Sequence, residues 1–193
     1  MFVEHKNLIA SQGRKVLRDP KFYVDALESF PDGPPCAANA VLAGDGNFRE
    51  KFVEFNGFDI ATELMRRSHP CQTYLAAAKI VHVLIATTRV DVPMDFGIVV
   101  ESALAWSASH NDDLTHELLC VCYALGCKHG IALTMDLNPL LRDSVPLRIK
   151  TRAATVLMIS TDHPPDELYM SRLIEVPLQR YVEERTASPE EVI

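Results

Sequence analysis

The sequence predicts an all-α fold, and three observations carry that prediction. Strand-like alternation of valine, isoleucine, threonine and aromatic residues is scarce. Chain breakers leave segments of roughly ten to eighteen residues, the usual helix range. Within those segments apolar residues recur at helical spacing. The breakers are Pro20, the cluster Pro31-Asp32-Gly33-Pro34-Pro35, the stretch from Gly44 to Gly46, Pro70, Pro93, the turn Asn111-Asp112-Asp113, Pro146 and the pair Pro164-Pro165.

Taken in order, the helices fall into two interleaved series. The first series begins at Ala37-Ala38, with Val41-Leu42 one turn on, and its next member begins at Ala76-Ala77, with Ile80-Val81 one turn on. Leu118-Leu119 with Cys122-Tyr123, and Ala153-Ala154 with Leu157-Met158, complete it, so the starts are spaced by 39, 42 and 35 residues. The second series begins near Phe58, Ile98, Ile131 and Leu168, spaced by 40, 33 and 37 residues. Three of its members closely follow Gly57, Gly97 and Gly130. Glycine accepts the left-handed backbone that ends one helix and permits close approach as the next departs. Pro70 suits the first turn of the helix after it, where the missing N–H has no intrahelical partner to lose. A glycine and a proline are therefore expected as the corners of one repeating unit.

At these residues the chain resembles the armadillo-like family of helical repeats. The stretch AANAVLAGDGNFREKFVEFNGFDIATELMRR looks like one unit, with a small-residue helix, Asn47 near its end and Gly57 opening a long last helix. VPLRIKTRAATVLMIST similarly resembles a short first helix running into a second. The resemblance implies an α-solenoid of about four degenerate units over residues 35–183. Residues 1–34 would form an N-terminal capping helix or half repeat, and 184–193 a flexible acidic tail. Three departures stand out. The third unit is compressed, and Pro177 falls inside YMSRLIEVPLQRYVEE, where it should kink or split a helix. The paired Trp and Asn of the nuclear-import members are also missing, since Trp106 is the only tryptophan and is followed four residues on by His110.

Composition excludes several function classes. Hydrophobic residues make up 48% and charged residues 23%, an ordinary globular balance, and a net charge of -7 opposes binding to duplex nucleic acid. No stretch approaches the ~18 uninterrupted apolar residues of a membrane span. The longest candidate, Ala76 to Ala86, is broken by Lys79 and His82. Five cysteines, at 36, 71, 120, 122 and 127, sit within or beside apolar patterns, which points to reduced thiols and a cytoplasmic, reducing compartment.

Stacked helix pairs bury a shared core and expose a long, slightly curved face. The expected function is a non-enzymatic scaffold or adaptor for a protein partner, binding an extended peptide or a helix on that concave face, with no cofactor. A short array with an unfinished end can also self-associate. The candidate contact residues are Glu63, Arg67, Trp106, His110 and Arg142. Each has a plainer alternative: Trp106 as an inter-helix filler, the others as solvated surface groups. The pairs Arg14/Arg18 and Arg148/Arg152 each form a small positive stripe that also suits an ordinary solvated face.

The rival reading is an all-α metal-binding regulator or enzyme built on HELLCVCYALGCKHG, residues 116–130, with ligands drawn from 116–129. His116, Cys120, Cys122, Cys127 and His129 are enough in number for a tetrahedral zinc site. At 100° per residue, His116, Cys120 and Cys127 fall within about 40° of one another, whereas Cys122 and His129 lie near the opposite face. One helix does not bring all five to one metal, and buried cysteines acting as small hydrophobes account for the pattern. The chain has no His-Glu-x-x-His pair, no Gly-x-Ser-x-Gly elbow and no phosphate loop.

Overall fold

The computed structural model describes residues 19–29, 32–67, 70–131 and 134–159. Among them are eight α-helices, one 3-10 turn and no strand. Helix α1 spans Pro20–Ser29, and the Asp19 carboxylate accepts a hydrogen bond from the Lys21 N–H at 3.0 Å. Helix α2, Gly33–Ala43, carries two prolines in its first turn. Its last carbonyls are held by Arg49, which donates to Val41 O at 3.0 Å and Leu42 O at 3.2 Å. Helix α3, Gly46–Glu54, is capped by the Asp45 side chain, which accepts from the Phe48 N–H at 2.8 Å. Helix α4 is Gly57–Arg66, and α5 is Cys71–Thr87, entered through Pro70. Helix α6 is Phe96–Ser107. Helix α7, Asp112–His129, starts where the Asn111 side chain accepts from the Leu114 N–H at 2.8 Å and ends at left-handed Gly130. A 3-10 turn, Asn138–Leu141, precedes α8, Leu147–Ile159.

The first sequence series is the central row of this fold. Helix α2 packs on α5, α5 on α7, and α7 on α8. Most residues that mark the series are buried in the core, namely Ala37, Ala38 and Val41; Ala76, Ala77, Ile80 and Val81; Leu118, Leu119 and Cys122; Ala153, Ala154 and Leu157, whereas Leu42 and Met158 are exposed and Tyr123 is half-buried. Alanines at these seams let the helix axes approach closely, because the separation is set by the side chains at the contact. Helices α4 and α6 form a second row that packs on α5 and α7 and touches itself. Helices α1 and α3 cover the first end, against α2 and α4. The boundary expected at residue 34 falls within α2, and α1 shares the same hydrophobic core as the rest.

The corners differ in detail from expectation. At the α3–α4 corner the left-handed residue is Asn56, with φ 64°, and Gly57 is already helical. Gly57 is small for a packing reason, since an added Cβ would lie 2.3 Å from the Phe52 ring. Gly97 likewise sits inside α6, where a Cβ would meet Ile131 at 3.2 Å, and only Gly130 takes the left-handed backbone, with φ 64°. No helix begins at Ile131. Asp136 instead accepts from the backbone N–H of Asn138 at 2.9 Å and from its side chain at 2.7 Å, and Pro139 follows, so a turn and a 3-10 piece take the place of a helix. Glu101 on α6 ties that segment down by accepting from the Thr134 hydroxyl at 2.9 Å and from the Thr134 N–H. The stretch from Val145 enters one 13-residue helix rather than two. The expected helix at Leu168, the Pro177 kink, the Arg14/Arg18 stripe and the acidic tail lie outside the described residues.

Candidate functional site

The end of α4 and the outer face of α6 diverge to leave an open groove of about 700 Å³. Helical spacing makes its long wall: Ile98, Ser102 and Trp106 follow one another at four-residue steps along α6. Ile98 is 67% exposed and Trp106 51%, values unusual for large apolar side chains on a helix whose opposite face, with Phe96, Val100 and Leu104, is fully buried. Met94, just before α6, is also fully exposed.

Charge lines the other side. Arg66, the last residue of α4, donates through Nη1 to Asp95 Oδ2 at 2.6 Å and through Nη2 to Asp95 Oδ1 at 2.7 Å. This bidentate fork joins the end of α4 to the start of α6. The Arg66 hydrogen bond holds the Asp95 carboxyl below its usual range, with burial acting the other way and the Arg66 charge adding to the lowering. Beside it Arg67 Nε donates to Glu63 Oε1 at 3.0 Å, and Glu63 Oε2 lies 4.0 Å from Arg66 Nε. Tyr74 closes the floor by donating its hydroxyl to the Met65 carbonyl, and burial raises the Tyr74 pKa.

Four of the five contact residues expected from sequence gather around this groove. Arg67 and Trp106 line it, Glu63 pairs with Arg67, and His110 stacks on Trp106 with ring centroids 5.0 Å apart and an interplanar angle of 6°. His110 Nδ1 also lies 2.7 Å from the Trp106 carbonyl oxygen, which fixes the ring against the indole. Arg142 is elsewhere, exposed just after the 3-10 turn, which packs on α8. Sequence reasoning missed Arg66, Asp95 and Ile98 as parts of one site. Arg66 and Asp95 are 29 residues apart, and no local pattern announces their meeting.

The cysteine and histidine segment is distributed around α7. Cys120 and Cys122 are buried, whereas Cys127 and His129 are exposed. His116 Nδ1 lies 4.0 Å from Cys120 Sγ, a contact along one face. Burial lowers the His116 pKa, with Arg152 and Arg148 adding to the effect. Burial raises the thiol pKa of Cys120, against the opposing influence of Arg152, and raises that of Cys122 strongly. A nucleophilic thiol requires the opposite shift. Among the described residues no three His, Cys, Asp or Glu side chains are placed to hold a metal ion. Nearby, Arg148 pairs with Asp113 at 2.7 Å, Arg152 sits 5.5 Å over the Tyr123 ring, and His82 Nδ1 lies 2.7 Å from Glu117 Oε1. No helix among the described residues is long and apolar enough to cross a membrane.

No known protein family, curated protein or solved structure matches this chain.

Proposed function

We propose that the protein is a non-enzymatic interaction scaffold or adaptor, an armadillo-like stack of about four degenerate units whose α4–α6 groove receives a segment of a protein partner in a reducing, cytoplasmic setting. One observation carries the reading: the exposed Ile98 and Trp106 on α6, facing an ordered charged rim. Aromatic and arginine side chains set in a groove are the residue types that dominate interface energetics. The interleaved rows support the stacking part of the proposal, because helices α2, α5, α7 and α8 pack in succession and buried alanines recur on α2, α5 and α8.

The test is affinity capture from a reducing extract with the purified chain, alongside Ile98→Asp and Arg67→Glu variants that retain the parent's circular dichroism. A protein held by the parent and lost by both variants, with the lost contact mapped to α4 and α6 by hydrogen exchange, is the expected result. Recovery that neither variant changes would remove the groove from the proposal.

A further inference from the structure

We propose that the seam between α7 and α8 binds a phosphate monoester, held by Arg148 and Arg152 of α8 and by His116 and Tyr123 of α7. The site shares no residue with the lining of the α4–α6 groove and does not rest on what that groove receives.

A cation without a counter-charge makes the first argument. The Arg152 guanidinium is half-buried and rests 5.5 Å over the Tyr123 ring, and among the described residues no carboxylate lies within ion-pair distance of it. Its neighbours His116, Cys120 and Tyr123 are neutral near pH 7. Burial, then Arg152 and Arg148, lower the His116 pKa against the influence of Glu117, burial raises the Cys120 thiol, and a hydrogen bond with Cys127 raises the Tyr123 phenol. The two nearby carboxylates are engaged elsewhere. Glu117 Oε1 lies 2.7 Å from His82 Nδ1 on α5, and Asp113 Oδ1 lies 2.7 Å from Arg148 Nη2. A partly desolvated positive charge among neutral groups attracts an anion more strongly than the same charge in water.

The supply of donors makes the second. His116, Cys120 and Tyr123 follow one another at i, i+4 and i+7, on the face of α7 that Arg152 meets, and Arg148 stands one turn before Arg152 on α8. Guanidinium and imidazole N–H groups and a phenol O–H all donate to an oxyanion. The Tyr123 ring holds the Arg152 plane in place, so less order has to be imposed when a ligand arrives. The Arg148–Asp113 pair is exposed, 51% and 65%, and such pairs contribute little, so Arg148 is free to turn to a ligand at small cost. Two guanidinium charges match a phosphate monoester, which is close to a dianion at neutral pH, better than a carboxylate with half that charge.

A bound dianion favours the imidazolium, so the His116 ring is the reporter. Carbon-edited NMR of the histidine-labelled full chain, assigned with His116→Gln, is followed as sodium phosphate is added at an ionic strength held constant with sodium chloride. Phosphate should shift the His116 signals saturably and raise the lowered His116 pKa, and chloride alone should do neither. Arg152→Gln should weaken binding by about tenfold or more and the exposed Arg148→Gln by about threefold or more, while Arg152→Lys should restore part of the loss. Circular dichroism and the other histidine signals check the fold, and Arg148→Gln carries the test if Arg152→Gln unfolds. Glycerol phosphate and a phosphoserine peptide then separate two sources of the same group. Tighter binding of the peptide assigns the site to a phosphorylated protein segment, and equal binding assigns it to a small ester. An unmoved His116, a shift that chloride reproduces, or binding that the glutamine variants leave unchanged would overturn the proposal. Each of those results leaves the reading of the α4–α6 groove standing.

Discussion

Gly57→Ala probes the corner between α3 and α4, where a methyl group has nowhere to go. Its Cβ would lie 2.3 Å from Phe52 Cε1, 2.4 Å from Cδ1 and 2.7 Å from the Phe52 carbonyl oxygen. Phe52 cannot step aside easily. It is fully buried and stacked on Phe48, with centroids 6.4 Å apart, and Phe48 is backed in turn by Tyr23 at 6.0 Å. Two effects oppose each other. Alanine in place of a helical glycine gains about 0.5–1 kcal/mol from chain entropy, while overpacking a closed core typically costs about 1–3 kcal/mol. The net expectation is a loss of about 1–2 kcal/mol, which for a chain of this size lowers Tm by roughly 2–8 °C. Gly46→Ala is the control, because no atom lies within 4 Å of its added Cβ, and it should melt with the parent or slightly above. In a Phe52→Leu background the cost of Gly57→Ala should shrink, and a double-mutant cycle of thermal and denaturant melts measures that coupling. A Gly57→Ala protein as stable as the parent would refute the clash as the reason for glycine, and a loss undiminished in the Phe52→Leu background would refute the ring as its source, leaving only the Phe52 carbonyl oxygen.

Three further outcomes follow from burial and charge. Ala77→Leu and Ala154→Leu enlarge side chains buried in α5 and α8 and should each destabilise by about 1–3 kcal/mol in denaturant melts, whereas Glu63→Leu, on the exposed face, should stay within about 0.5 kcal/mol. His116 has a folded-state pKa below its ordinary 6.5, so the unfolded chain takes up the proton first and stability should fall as pH drops below 6.5. His116→Gln should flatten that part of the profile in denaturant midpoints measured across it. A thiol reagent should modify exposed Cys36 and Cys127 first, half-buried Cys71 more slowly, and Cys120 and Cys122 only on unfolding, which time-resolved labelling and mass spectrometry would resolve.

Much of this architecture was legible because helices announce themselves locally. The spacing of Ala37, Ala76, Leu118 and Ala153 identified the four helices of the central row, and each of those residues is buried. The cap residues were partly legible. Residues 111–113 read as a chain-breaking turn, and Asn111 within it accepts the capping hydrogen bond that starts α7. The missed third member of the second series has a local cause as well, since Asp136, Asn138 and Pro139 favour a turn over a helix despite the apolar residues around them. Of the two roles expected of glycine, Gly57 and Gly97 serve the close approach alone, and Gly130 takes the left-handed backbone. A glycine needed for close packing and one needed for a left-handed backbone look the same in a sequence.

The sequence by itself determined that this chain is helical and where the four central helices lie, because backbone propensity and amphipathic spacing act within a few residues, although their first residues precede the marked positions by four to six. It also brought Trp106 together with His110, and Glu63 with Arg67, because residues four apart share a helix face. Only the tertiary structure decided that these two pairs border one groove and that Arg142 does not. The Arg66–Asp95 fork that closes the rim depends on how α4 and α6 dock across α5, and docking is fixed by the packing of Phe52, Met65 and the buried alanines rather than by any pattern near either charge.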